Sequence, residues 1–264
     1  MTSVRLQKRH YIIIGILLFL IGLAGMFYLW TLVQFADRVG YTHPVLSKDP
    51  ERIAPSGDVI VSPADGTVLY VKRVKNGVIP EITKRNVPIP LAQHTKLNAH
   101  DFTDGYLIGI YMHTLGVHVN RIPNNGTVVD RYVFNGPHMD MTAAEAKIGL
   151  TQAIPWLVSL KKFFGVPPYD IEDESEYILK SARETIVLRD TRGTKIYIIR
   201  IADYYVGNIV TWVSPQQNVS RGDRMGMITW GSQTDILIPD SAELKITAKV
   251  GEYVLAGETI VATY

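Results

Sequence analysis

The sequence predicts a mainly β protein with a helical insertion, carried behind one N-terminal transmembrane helix. Three observations lead there. Residues 11–36 form a 26-residue run without Asp, Glu, Lys or Arg. From about residue 58 onward, short runs rich in Val, Ile, Tyr and Thr are bounded by Gly, Pro, Asn or Asp, the pattern of strands and turns. Helical periodicity stands out only between about Thr142 and Phe164, where Pro155 breaks or kinks it.

Taken in order, residues 1–10 are a basic flank holding Arg5, Lys8 and Arg9 with no acid. The run 11–36 exceeds the roughly 20 apolar residues that a bilayer core requires, and Tyr11, Tyr28 and Trp30 lie where interfacial aromatics belong. A cleaved signal peptide is the competing reading, but its apolar region would be shorter. The sequence therefore predicts a membrane protein with a single-pass N-terminal anchor. Arg5, Lys8 and Arg9 on one flank face Arg38, Lys48 and Arg52 on the other, so the side of the membrane holding the body stays open, with a lean towards a cytoplasmic N-terminus.

Residues 37–57 read as a polar linker and 58–264 as one domain. Its strands are expected at Val59–Val61, Thr67–Val71, Tyr106–Met112, Val117–Val119, Thr127–Phe134, Thr185–Leu188, Lys195–Ile201 and Ile209–Val213, with Asn125-Gly126 as a tight hairpin turn. Within the insertion 138–179, residues 148–164 suit either an interfacial helix or one packed on the sheet. The tail from Leu244 to Ala262, punctuated by Gly251 and Gly257, is similar to the barrel-sandwich hybrid motif of biotinyl, lipoyl and membrane-fusion proteins. Its candidate hairpin 252–256 lacks the Lys that a carrier domain would modify.

Composition narrows the chemistry. The chain has 264 residues and a formal net charge of +2, and because the first ten carry +3 the remainder is slightly negative. A nucleic-acid partner is not expected without a basic excess. Zero Cys excludes a disulfide scaffold, a thiolate metal site and a cysteine nucleophile. No Gly-rich phosphate loop, His-Glu-x-x-His helix or Gly-x-Ser-x-Gly elbow is present. His113 and His118 lie five apart, on opposite faces of an extended strand, so no metal is expected there.

Three segments occur in order: 62–68 (SPADGTV), 116–123 (GVHVNRIP) and 224–239 (RMGMITWGSQTDILIP), with Ile199-Arg200-Ile201-Ala202 before the last. Together they closely resemble the phosphatidylserine decarboxylase family, in its short form that includes archaetidylserine decarboxylases. The resemblance covers residues 58–136 and 183–262.

That resemblance implies a pyruvoyl-dependent proenzyme that converts phosphatidylserine to phosphatidylethanolamine and CO2. It implies autocatalytic serinolysis between Gly231 and Ser232, after which Ser232 becomes the pyruvoyl group, an electron sink of the kind that decarboxylation needs. Asp65 matches the family aspartate that supports the self-cleavage base, and its bland reading is an Asp-Gly turn. His118 matches a histidine assigned to acid–base work. One branch carries a second histidine three residues on, where this chain has Arg121. Which residue starts self-cleavage stays open with Arg121 there; His118 is one candidate for both steps, and Arg121 is a candidate to hold the lipid phosphate or carboxylate. The family's Asn-Glu-Arg-Asn run is reduced here to Arg183 within 181–185, a second candidate for the substrate. The expected partners are an aminophospholipid, the membrane and the chain's own cleaved halves, with homo-oligomerisation open. The alternatives are a non-enzymatic membrane-anchored adaptor and a catalytically silent relative of the family.

Overall fold

A computed structural model describes residues 13–28, 48–80, 88–98, 100–113, 116–137, 177–202, 208–229 and 232–264. The chain divides into two units, Met1–His43 and Pro44–Tyr264.

In the first unit, residues 13–28 form helix α1. No helix among the described residues is long and apolar enough to cross a membrane. The single-pass anchor expected over 11–36, and the membrane localisation built on it, are therefore overturned. Residues 11, 12 and 29–36 of that run lie outside the described residues, as do the basic flank 1–10 and the helical periodicity at 142–164.

The second unit is mainly β. Its largest sheet is antiparallel, has eight strands and curls as a half-barrel. In spatial order these are β11 (Asn218–Val219), β7 (Gly126–Phe134), β8 (Arg183–Asp190), β9 (Lys195–Ala202), β13 (Ser232–Pro239), β5 (Gly105–Met112), β2 (Gly66–Val74) and β15 (Tyr253–Val254). One smaller sheet joins β1 (Val59–Val61), β16 (Ile260–Thr263) and β14 (Lys245–Ile246), and another joins β10 (Ile209–Thr211), β12 (Arg224–Ile228) and β6 (Val119–Arg121). Short strands β3 (Val78–Ile79) and β4 (Ile89–Pro90) pair beside helix α2 (Leu91–Thr95), and α3 (Tyr177–Lys180) precedes β8.

Strand periodicity decides which side chains meet. On β13, Leu237 joins a core with Tyr70, Leu107, Tyr111 and Tyr197. Ile236 and Ile238 join the opposite core with Ile108, Met112, Ala202 and Ile228. Successive residues point to opposite faces, so Ser232 and Thr234 share the second face, and Gln233 and Asp235 the first.

The expected strands are found with two exceptions: Val117–Val119 is displaced to Val119–Arg121, and Ile209–Val213 ends at Thr211. Asn125-Gly126 does not close a hairpin either, because β6 belongs to the small sheet and β7 to the large one. A type I′ turn needs positive φ at both central residues, and neither has it. Asn76 and Gly77 do, with φ of 51° and 70°, and they reverse the chain between β2 and β3. The reciprocal bonds of that turn join the amides and carbonyls of Lys75 and Val78.

Candidate active site

Ser232 opens β13 and is fully buried, in register with Met112 of β5 on one side and Ala202 of β9 on the other. Its hydroxyl donates to Met112 Sδ at 3.3 Å, as does that of Thr234. A thioether is a weak acceptor, so the Ser232 hydroxyl is lightly held. Gly231 lies outside the described residues.

His118 is fully buried just before β6. Its Nδ1 lies 3.0 Å from the Gly116 carbonyl, which can only accept, so the proton sits on Nδ1 and Nε2 carries the lone pair. Nε2 is buried and has no hydrogen-bond partner among the described residues. Burial pulls the imidazole down to about 4, against the opposing effect of the Gly116 bond. Two residues along, Asn120 Nδ2 donates to Thr234 Oγ1 at 3.2 Å, which ties β6 to β13. His118 and Ser232 are each one pleat from that contact.

Asp65 ends the 62–65 turn, and its carboxylate accepts from Arg52 and from the Ala256 amide, both at 2.7 Å. Burial pushes its carboxyl above the ordinary carboxylate range, outweighing the pull of Ala256 and Arg52. The turn reaches the site through backbone, with the Arg121 amide donating to the Pro63 carbonyl at 2.9 Å. Its last neighbour, Gly66, is fixed by space: a Cβ there would stand 2.0 Å from the Tyr111 carbonyl oxygen.

The two arginines expected at the substrate are engaged elsewhere. Arg121 donates to Asp49 at 2.5 Å, to the Pro50 carbonyl and to the Gly222 carbonyl, so its guanidinium ties segment 49–52 to the body. Arg183 is buried and donates to the Ser181 and His94 carbonyls at 3.0 and 2.8 Å. It stands on the face of the large sheet opposite Ser232, with Val187. There a buried network gathers around Asp235, which accepts from His94 Nε2 at 2.7 Å, Tyr70 Oη at 2.6 Å and Gln233 Nε2 at 2.7 Å. Desolvation lowers the His94 imidazole despite the Asp235 contact, and brings Arg183 down to about 10.

On the Ser232 face, Thr234, Arg200, Glu184 and Val133 stand in one row across four strands. Arg200 and Glu184 are a buried ion pair, and Arg131 and Thr211 add hydrogen bonds to the same carboxylate. Burial alone would raise Glu184, but the Arg200 charge and these bonds outweigh it and hold the carboxyl below its ordinary value. A cleft opens beside this row, lined among others by Arg131, Asn135, Ala182, Ala202 and Asn208.

Sequence reasoning passed over Arg52, His94, Glu184, Arg200 and Asp235. The one available signal was a charge set in an apolar strand run, as at Ile198-Ile199-Arg200-Ile201, because a buried charge requires a partner. Among the described residues no group of three or more His, Asp or Glu could hold a metal ion.

A family model described as phosphatidylserine decarboxylase matches residues 47–262. A Methanocaldococcus jannaschii protein, provisionally named an archaetidylserine decarboxylase proenzyme, is 32% identical over 217 residues, covering 81% of this chain and 86% of that protein. The phosphatidylserine decarboxylase proenzymes of Nitratidesulfovibrio vulgaris and Geotalea uraniireducens are 30% and 25% identical, each over 81% of this chain and over 74% and 75% of their own lengths.

Proposed function

Because the chain belongs to the phosphatidylserine decarboxylase family and is a decarboxylase, we propose that it matures by cutting itself between Gly231 and Ser232 and then acts on an aminophospholipid, converting phosphatidylserine to phosphatidylethanolamine and CO2. The observation that carries this reading is the Ser232 hydroxyl, buried at the head of a central strand and held, among the described residues, only by a thioether.

In this account Ser232 Oγ attacks the Gly231 carbonyl carbon while its proton passes to His118 Nε2. The Gly231–Ser232 C–N bond breaks, the Ser232 nitrogen takes up a proton, and an ester joins the two residues. Loss of the Ser232 Cα proton expels the Gly231 carboxylate. Water then replaces the nitrogen, ammonia leaves, and a pyruvoyl group remains on Gln233.

The surroundings fit that group. Gln233 Nε2 donates to Tyr70 Oη and Asp235 at 2.7 Å each, which anchors the residue that would bear it. The Nε2 of His118, buried and without a partner among the described residues, is a polar atom with a proton-transfer task open to it. The pyruvoyl group supplies the electron sink for the carbanion left by CO2. His118 Nε2 takes a proton from the substrate ammonium and, once CO2 has left, gives it to the substrate carbon. Asp65 serves as a positioning residue, holding the 62–65 turn on which β6 hangs. Arg121 and Arg183 hold segment 49–52 and the His94 segment.

The test is electrophoresis and assay of purified protein. Wild type should give two fragments and release CO2 from phosphatidylserine, whereas Ser232→Ala should stay one chain without activity. Active protein after that substitution would sink the reading.

A further inference from the structure

Of the arginines around the site, Arg131 alone combines a place in the cleft with an unsatisfied charge. Its side chain is 39% exposed, and its Nε donates to Glu184. The two terminal nitrogens have no partner among the described residues. Glu184 is already neutralised by Arg200, since that pair is buried at 1% and 0% exposure. The group of three therefore carries one surplus positive charge, on its most exposed member.

The cleft reaches both proposed reacting groups through the backbone. Ala202 in its wall is the register partner of Ser232. Ile209, also in its wall, is the register partner of Ile228, whose amide donates to the His118 carbonyl at 3.2 Å. Ala182 and Ala202 belong to the core on the Ser232 face, and Ile209 packs against it.

We propose that this cleft receives the phosphodiester of the lipid headgroup and that Arg131 is the residue that grips it. The inference rests on the decarboxylase reading and adds to it the place where the headgroup binds. Glu184 stands two strands from β13, roughly 10 Å at ordinary strand spacing. The amine-bearing carbon of a phosphoserine headgroup is three bonds from phosphorus, about 4 Å, and a charge-assisted hydrogen bond to a guanidinium covers most of the remainder. The anion held by Arg131 is the phosphodiester rather than the carboxylate. A carboxylate paired with a guanidinium is stabilised as the ion and resists leaving as neutral CO2, whereas the Ala182–Ala202–Ile209 wall suits a neutral leaving group.

The full-length Ser232→Ala protein, which cannot form the pyruvoyl group, is titrated calorimetrically with glycerophosphoserine, glycerophosphoethanolamine and inorganic phosphate. Both glycerophospho compounds should bind. Arg131→Gln should weaken both by about tenfold or more, Arg131→Lys by less, and inorganic phosphate should bind more weakly than either. Val133→Glu adds a negative charge at an exposed position of the cleft and should weaken both as well. Unchanged affinity in Arg131→Gln and Val133→Glu, or no binding to the parent protein, overturns the proposal. Loss confined to glycerophosphoserine assigns Arg131 to the carboxylate and overturns the phosphodiester assignment. Phosphate binding as tightly as the glycerophospho compounds points to a free-phosphate site and overturns the lipid source. Wild-type chain that never cleaves indicts the decarboxylase reading instead, and the titrations still judge Arg131.

Discussion

Neutral imidazole at His118 has its proton fixed on Nδ1 by the Gly116 carbonyl, and its lone pair stands in a dry environment. At neutral pH it is therefore a base, and on the proposed route it becomes an acid only after taking a proton from the reacting groups. The same burial makes a stability prediction. The folded value of about 4 lies below the ordinary 6.5, so between those values the unfolded chain holds a proton that the folded chain does not. Stability should fall as pH drops through that window, by about 3 kcal/mol from this residue. Urea unfolding measured across the window should show a shallower pH slope in His118→Gln, with His94, also lowered by burial, supplying part of what remains. An identical slope in the variant would contradict the assignment. Self-cleavage of the same variant, followed by gel after synthesis, should slow by about 10²–10⁴.

At the scale of elements, β13 holds the two halves of the site apart: Ser232 and Thr234 on one face, Gln233 and Asp235 on the other. The row from Thr234 through Arg200 to Glu184 makes one of these faces depend on a buried ion pair. Arg200→Met should cost about 3–5 kcal/mol, because Glu184 would keep its burial and lose its main counter-charge. The double variant Arg200→Met/Glu184→Leu should be less destabilised than that single one when compared by denaturant melts. Gly66→Ala should part β2 from β5, since its Cβ would meet backbone, and lose more than about 2 kcal/mol in the same assay.

Much of this level was legible in the sequence. Val59–Val61 is recovered residue for residue, and β2, β5 and β7–β9 are each recovered short by one or more residues at their ends, because Val, Ile, Tyr and Thr runs suit a pleated surface whatever their partners. Strand order was not legible, because β13 lies between β5 and β9 through pairings far apart in the chain. Asn125-Gly126 and Asn76-Gly77 are the same dipeptide, yet the positive φ pair sits at Asn76-Gly77. The residue types of the site were visible, but their partners were not. Nothing local announces that Arg121 would meet Asp49, or that Arg183 would turn to the face opposite Ser232.

At the scale of the molecule, the composition of the apolar run 11–36 reads as a span, whereas no helix among the described residues is long and apolar enough for one. Cleavage after Gly231 would leave residues 232–264 threaded through the body. β13 stays paired to β5 and β9, β15 to β2, and β16 to β1. The two fragments should therefore co-elute in native gel filtration and separate only in denaturant, because that antiparallel pairing does not need the broken bond.

Conversion of Ser232 is read out by intact mass spectrometry of the wild-type protein. Two chains are expected, one ending at Gly231 and one beginning with a blocked group at position 232, lighter than a serine-initiated chain by one ammonia. A single unmodified chain of 29.5 kDa would contradict it.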